Sequence, residues 1–139
     1  NDSVISHVIN RYRKTNAVIV YLSDHGEEIY DYRDSKGRVS AAPGQYKELL
    51  KYQYGIPFMI WCSDTYKRKH PQVIRNIKAA LNRPFMTDNV CQILFYLSGI
   101  RTKYYNPQRD LLNPRYKIRD RILGNGDNYD KIMRDSQRK

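Results

Sequence analysis

Two short stretches of the chain, Ala17–Leu22 (AVIVYL) and Ile56–Cys62 (IPFMIWC), are apolar throughout and show no alternation with polar residues. A strand wetted on one side alternates. A continuous run of this length, rich in β-branched and aromatic residues, fits a strand covered on both faces, as in α/β proteins. Pro57 stands near the start of the second run, where a missing ladder hydrogen bond is tolerated. Around these runs the period changes to that of helices. Val4, Ile5, Val8, Ile9 and Tyr12 share one face, and Val73, Ile74, Ile77, Ala80 and Leu81 form a stripe behind Pro71, a residue suited to a first helical turn. Val90, Ile93, Leu94 and Leu97 form another stripe, which makes Leu94 core and Gln92 surface. Thr87 is placed as its cap, Asp88 at its positive end and Gly99–Ile100 as a Schellman stop.

The pattern predicts neighbouring strands over 17–23 and 56–62, helices near 3–14, 71–82 and 88–98, and a short helix around 46–51. Residues 27–55 form a long polar, tyrosine-rich connection, and long connections in compact domains are often functional. This order implies an α/β fold whose strands are one side of a larger sheet flanked by helices. A helix that is already running at the first residue implies that the chain continues a longer one. The expected division is 1–100 as the α/β portion and 101–139 as a basic, mostly irregular tail punctuated by Asn106-Pro107, Asn113-Pro114 and Gly124-Asn125-Gly126.

The 139 residues carry a net charge of +11. From Arg101 onward there are eleven Lys or Arg against five Asp, interleaved with four tyrosines. Such a surface suits nucleic acid, anionic lipid headgroups or plain solvent; no nucleic-acid motif accompanies it, which weighs against a nucleic-acid partner. No apolar run approaches the roughly 18–20 residues needed to span a bilayer. Cys62 and Cys91 both read as free, buried thiols, with a disulfide between them as the alternative, whose geometry the sequence does not supply.

The first apolar run ends in Ser23-Asp24-His25-Gly26. Ligands in open α/β sheets gather beyond the carboxyl ends of strands, and a carboxylate beside an imidazole suits zinc or a related divalent ion. Successive strand residues point to opposite faces, so both side chains reach one ion only if the backbone turns here. Gly26 is the residue expected to allow that turn, through a positive φ. On the residues alone, an incidental surface turn remains the alternative. Of the other histidines, His70 reads as a helix-start residue and His7 as surface. Arg33 and Arg38 follow in the loop, with the guanidinium geometry that meets phosphate, although solvated arginines look the same.

The blocks NAVIVYLSDHGEE, YDYRD, YGIPFMIWCSD, RPFMTDN, LSGI and YNPQRDLLNPRYK, in this order, resemble the C-terminal part of the sulfatase-like phosphoethanolamine transferases of the alkaline phosphatase superfamily. The resemblance implies an alkaline-phosphatase-like sandwich and a periplasmic catalytic domain anchored in the inner membrane by N-terminal helices. It implies transfer of phosphoethanolamine from a phospholipid donor to lipid A or another surface glycan. It also implies zinc in the intact parent, with Asp24 and His25 as metal ligands and Arg33 and Arg38 as candidate substrate contacts. The family's threonine nucleophile belongs to an upstream motif, so no catalytic nucleophile is expected in this chain, and zinc binding by the chain alone is expected to be weak or absent. Family members also tend to carry a histidine in the loop after the Asp-His-Gly block, and Gly37–Tyr46 has none. The competing readings are a sulfatase-type ester hydrolase of the same superfamily and a non-enzymatic basic module on nucleic acid or anionic lipid.

Overall fold

The computed structural model describes residues 2–38 and 46–135. Helix α1 (Asp2–Tyr12) leads into strand β1 (Val18–Leu22). A hairpin of two very short strands, β2 (Glu28–Ile29) and β3 (Lys36–Gly37), precedes helix α2 (Tyr46–Tyr54) and strand β4 (Phe58–Cys62). Helices α3 (Asp64–Lys69) and α4 (Pro71–Ala79), a 3₁₀ turn at Thr87–Asn89, α5 (Val90–Ser98) and finally α6 (Tyr129–Asp135) complete the order.

Strands β1 and β4 are neighbours in one sheet, as their apolar runs predict. Ser63 N–H donates to Ala17 O at one end and Ser23 N–H to Pro57 O at the other, so numbers rise on one strand as they fall on the other. The pair is therefore antiparallel. Every residue of β1 is only half-buried, against the expectation of strands covered on both faces. The sheet has two strands among the described residues, which leaves each with one unpaired edge.

The chain forms two compact units, one built from the residues up to Val20 with Ile60–Arg119, the other from Tyr21–Met59 with the residues from Asp120 onward. In the first, Ser63 does three things at once. Its hydroxyl donates to Thr15 O (2.6 Å), accepts from Ala17 N–H (3.2 Å), and caps α3 by accepting from Tyr66 N–H (3.0 Å). The sequence Ser63-Asp64 carried this capping signal, with an acid in the first turn to meet the positive helix end. Tyr66 then reaches across to α5, donating to Leu97 O (3.0 Å). Asn76 of α4 donates to Tyr96 Oη of α5 (2.6 Å), so the two helices are joined by a polar contact beside the core of Ile93, Leu97, Leu111 and Leu112.

Helix α5 corrects the stripe read from the sequence. Ile93 and Leu97 are buried, but Leu94 is 47 % exposed and Gln92 only 8 %. The Gln92 amide donates to Tyr104 O (3.3 Å) and its oxygen accepts from Asn106 N–H (2.7 Å), so the segment after α5 folds over the side expected to be wet. Cys91, expected buried, is exposed, whereas Cys62 is buried and its thiol pKa raised by that burial; both are free. Thr87 is not the cap of α5: it opens the 3₁₀ turn, and α5 starts after Asn89 without a side-chain cap. Both local signals at helix ends hold. Pro71 occupies the first turn of α4 after His70, and Gly99 adopts φ 69° with Ile100 N–H bonded to Phe95 O, a Schellman stop.

Past Arg101 the chain is mostly irregular until α6, and its folding depends on side chains. Asp110, wholly buried, accepts from Tyr105 Oη (2.7 Å) and Leu112 N–H (3.0 Å). Burial raises the Asp110 pKa, and burial together with the bond to Asp110 pushes the Tyr105 phenol up to about 12. Arg83 supplies two further ties, from Nη1 to Leu111 O (2.7 Å) and Asn113 O (3.0 Å). In the second unit, Leu49 and Leu50 of α2 and Leu123 are buried, and Tyr46 Oη donates to Asp127 while accepting from Asn125.

Candidate metal centre

Strand β1 ends at Leu22, and the chain bends through Ser23, Asp24 and His25. The bend is held by its own side chains. Ser23 Oγ donates to His25 O (2.7 Å), and Asp24 Oδ1 accepts from His25 N–H (3.0 Å). This local fold turns two residues that would otherwise point apart toward a common side, with His25 Nε2 and Asp24 Oδ2 3.6 Å apart. Both face solvent, the imidazole 42 % and the carboxylate 87 % exposed.

The imidazole is oriented from behind. His25 Nδ1 lies 3.0 Å from Gly26 O, and because a carbonyl oxygen only accepts, Nδ1 carries the proton in this contact. The tautomer leaves the lone pair on Nε2, the atom beside Asp24. This is the arrangement by which metal-binding histidines are commonly held, with the far nitrogen donating to a carbonyl or carboxylate. A carboxylate oxygen and a neutral imidazole nitrogen on one side of a bend fit two positions of a tetrahedral zinc site. Among the described residues no group of three or more His, Cys, Asp or Glu side chains gathers to complete one.

Gly26 serves this bend in a different way from the one expected. Its φ is not in the left-handed region; the positive-φ glycines are Gly37, Gly99 and Gly126. Gly26 is instead pressed against the end of α2: a Cβ placed on it would lie 2.3 Å from Tyr52 O, 2.8 Å from Gly55 O and 2.9 Å from Gln53 C. Close approach of backbone to backbone, rather than a turn conformation, requires glycine here.

Glu28 is a residue whose role the sequence leaves open, between a support for the metal ligands and a plain loop charge. It is 0 % exposed and receives three bonds from Arg33: N–H to Oε1 (2.8 Å), Nε to Oε2 (3.0 Å) and Nη2 to Oε2 (2.8 Å). Arg33 thereby closes the β2–β3 hairpin, in which Glu28 pairs with Gly37 and Ile29 with Lys36. The guanidinium hydrogen bond and charge hold the Glu28 carboxyl below its ordinary range despite burial. The signal for it was an acid and an arginine five residues apart across a turn, invisible without the hairpin register. Tyr30, in that turn, takes a left-handed φ of 58°. Arg38 follows β3 and is exposed, as is His7 on α1. His70 starts α4 and stacks its ring 4.3 Å from that of Tyr66, far in role from a ligand. The Gly37–Tyr46 loop falls mostly on residues 39–45, outside the described residues.

Comparison with known proteins places this bend in context. The Sulfatase family matches residues 1–90. The phosphoethanolamine transferase EptC of Escherichia coli O18:K1:H7 is 32 % identical over 129 residues, covering 90 % of this chain and 21 % of the relative. Phosphoethanolamine transferase CptA of Salmonella typhimurium is 31 % identical over 112 residues, covering 79 % of this chain and 18 % of its own length. The chain thus spans about a fifth of the length of these relatives. Among solved structures, the C-terminal periplasmic domain of EptC from Escherichia coli superposes with a TM-score of 0.77 at 28 % identity, over 93 % of this chain and 37 % of that one. The same domain in complex with Zn gives 0.76 at 28 % identity, over 93 % and 36 %. The α/β architecture, the strand-end Asp-His pair and these matches agree: the chain belongs to the sulfatase family, and its relatives in it are phosphoethanolamine transferases.

Proposed function

We propose that the intact protein is a metal-dependent phosphoethanolamine transferase in which Asp24 and His25 supply two ligands to zinc. It would move phosphoethanolamine from a phospholipid donor to lipid A or a related surface glycan, with its catalytic domain in the periplasm and its anchor in the inner membrane. The observation that carries this reading is the 3.6 Å approach of His25 Nε2 to Asp24 Oδ2, with Nδ1 anchored on Gly26 O. Bound zinc would neutralise an attacking oxygen and polarise the phosphoryl group. The part of this chain is to hold the two donors: Asp24 contributes a formal negative charge, His25 a fixed lone pair, and Ser23 and Gly26 keep the bend rigid. Arg38 is assigned to the anionic phosphate, and Arg33 to the same side through the hairpin that its bond to Glu28 closes. The attacking threonine is assigned to a part of the intact protein outside these 139 residues.

The experiment substitutes Asp24→Ala and His25→Ala in the intact protein and measures zinc content and transfer of phosphoethanolamine to the acceptor. Each change should lower turnover by more than the roughly 10–100-fold lost with an outer-shell partner, with the circular dichroism spectrum unchanged. The 139-residue chain alone should titrate zinc weakly or not at all, since two ligands fall short of the three or four that zinc sites use. Full transfer by the doubly substituted protein would overturn the metal assignment. Phosphoethanolamine released to water with the acceptor unmodified would make the enzyme a hydrolase.

A further inference from the structure

The segment Ile100–Arg119 is strongly cationic at its exposed positions. Its cations, Arg101, Lys103, Arg109, Arg115, Lys117 and Arg119, are all exposed, and its one acid, Asp110, is wholly buried. Among the described residues only Arg119 has a carboxylate within ion-pair reach, Asp88 at 3.8 Å. Large apolar side chains stand outward among these cations: Ile100, Tyr104 and Ile118 are exposed. The segment is not a loose tail. Gln92 grips it at Tyr104 and Asn106, Arg83 at Leu111 and Asn113, and Tyr116 Oη donates to Pro84 O at 2.6 Å. Asp110, Leu111 and Leu112 are buried, and the outward side, made of the exposed residues, is mostly cationic or apolar.

We propose that this outward side is a docking surface for an anionic lipid bilayer. Two physical features choose that partner. Cations without an exposed acid among them complement a negative surface and gain by displacing its counterions. Exposed isoleucines gain by entering the acyl boundary, whereas single-stranded nucleic acid is gripped through aromatic stacking. Each exposed apolar residue has a cation next to it in sequence: Arg101 and Lys103 lie between Ile100 and Tyr104, and Lys117 and Arg119 flank Ile118. The contact is independent of the metal site and would hold the domain against the membrane whichever reaction it catalyses.

Vesicle co-sedimentation of the catalytic domain freed of its membrane anchor, the part that corresponds to the crystallised EptC domain, decides it, using phosphatidylglycerol–phosphatidylcholine vesicles against phosphatidylcholine alone. Binding should require phosphatidylglycerol and should disappear between about 0.1 and 1 M salt, as the screening length falls from about 10 to 3 Å. Removing two cations, Arg101→Gln with Lys103→Gln, should weaken binding roughly 30-fold. The same charge removed from α3, Arg68→Gln with Lys69→Gln, should change it no more than about threefold. Ile100→Ser with Ile118→Ser should weaken binding at all salt concentrations. Circular dichroism establishes that each variant is folded, and the lipid and salt dependence of the unmodified domain stands without them. Equal binding to both vesicle types, or an α3 variant as weak as the Arg101–Lys103 variant, would overturn the proposal. So would tighter binding to an oligothymidylate that the isoleucine changes leave untouched, which would make this a nucleic-acid surface.

Discussion

Substituting Gly26→Ala isolates the tightest contact in the candidate site. The added Cβ would meet Tyr52 O at 2.3 Å, about 1 Å inside the 3.4 Å where ordinary contact begins, and would also crowd Gly55 O and Gln53 C. All three atoms are backbone at the end of α2, so no side chain can rotate away. The bend or the last turn of the helix must move. Overpacking of this kind costs typically 1–3 kcal/mol, and the rigidity of the obstructing atoms argues for the upper end, about 3 kcal/mol. For a chain of this size that is a fall of about 10 °C in Tm. Gly124→Ala is the matched control, because nothing lies within 4 Å of the position its methyl group would take and its φ is ordinary; it should be neutral or stabilising by up to about 1 kcal/mol through the unfolded chain. Gly26→Asn separates sterics from conformation: asparagine tolerates a left-handed φ, so it would be accepted if Gly26 were a turn glycine, and should be at least as damaging as alanine if space is the constraint. Urea and thermal unfolding of the three variants provide the comparison. Because Gly26 O also orients His25 Nδ1, the intact protein carrying Gly26→Ala should lose zinc affinity as well. Equal midpoints for Gly26→Ala and Gly124→Ala would refute the reasoning.

Helix α5 should rank its substitutions by the observed burial. Ile93→Ala should cost about 2–5 kcal/mol, and Gln92→Ala, which leaves Tyr104 O and Asn106 N–H without their partner, about 1–3 kcal/mol. Leu94→Ala should stay below both in denaturant melts, and a larger loss at Leu94 than at Gln92 would restore the face read from the sequence. Glu28 makes a pH prediction whose direction follows from its bonds to Arg33. Its folded pKa is depressed below the ordinary 4.5, so its contribution is fully present above that value and is lost as pH falls through the folded pKa. Glu28→Gln should therefore destabilise the chain at neutral pH and flatten the decline in unfolding midpoint below about pH 5, whereas a variant with an unchanged acid limb would show that the pair is not formed.

Much of the secondary structure was legible because its causes are local. A continuous apolar run makes strands of 18–22 and 58–62, a proline fits the first turn of α4, and Gly99 ends α5 because only a residue without Cβ enters the left-handed region cheaply. The candidate metal pair was legible for the same reason. Asp24 and His25 are consecutive at a strand end, and Ser23 and Gly26 beside them supply the bonds that turn them together. Tertiary structure decided what depends on residues far along the chain. Gly26 is indispensable because the end of α2, well beyond the hairpin in sequence, arrives against it. Gln92 is buried because residues 104–106 fold back over it, and Ser63 matters because it bonds to Thr15 and Ala17 from the far end of the neighbouring strand. Glu28 is buried because hairpin pairing swings Arg33 onto it. Periodicity reports how one segment alternates between water and something apolar, but a polar side chain can be buried at no great cost wherever a distant backbone group satisfies its hydrogen bonds. Which distant group arrives is a property of the folded chain.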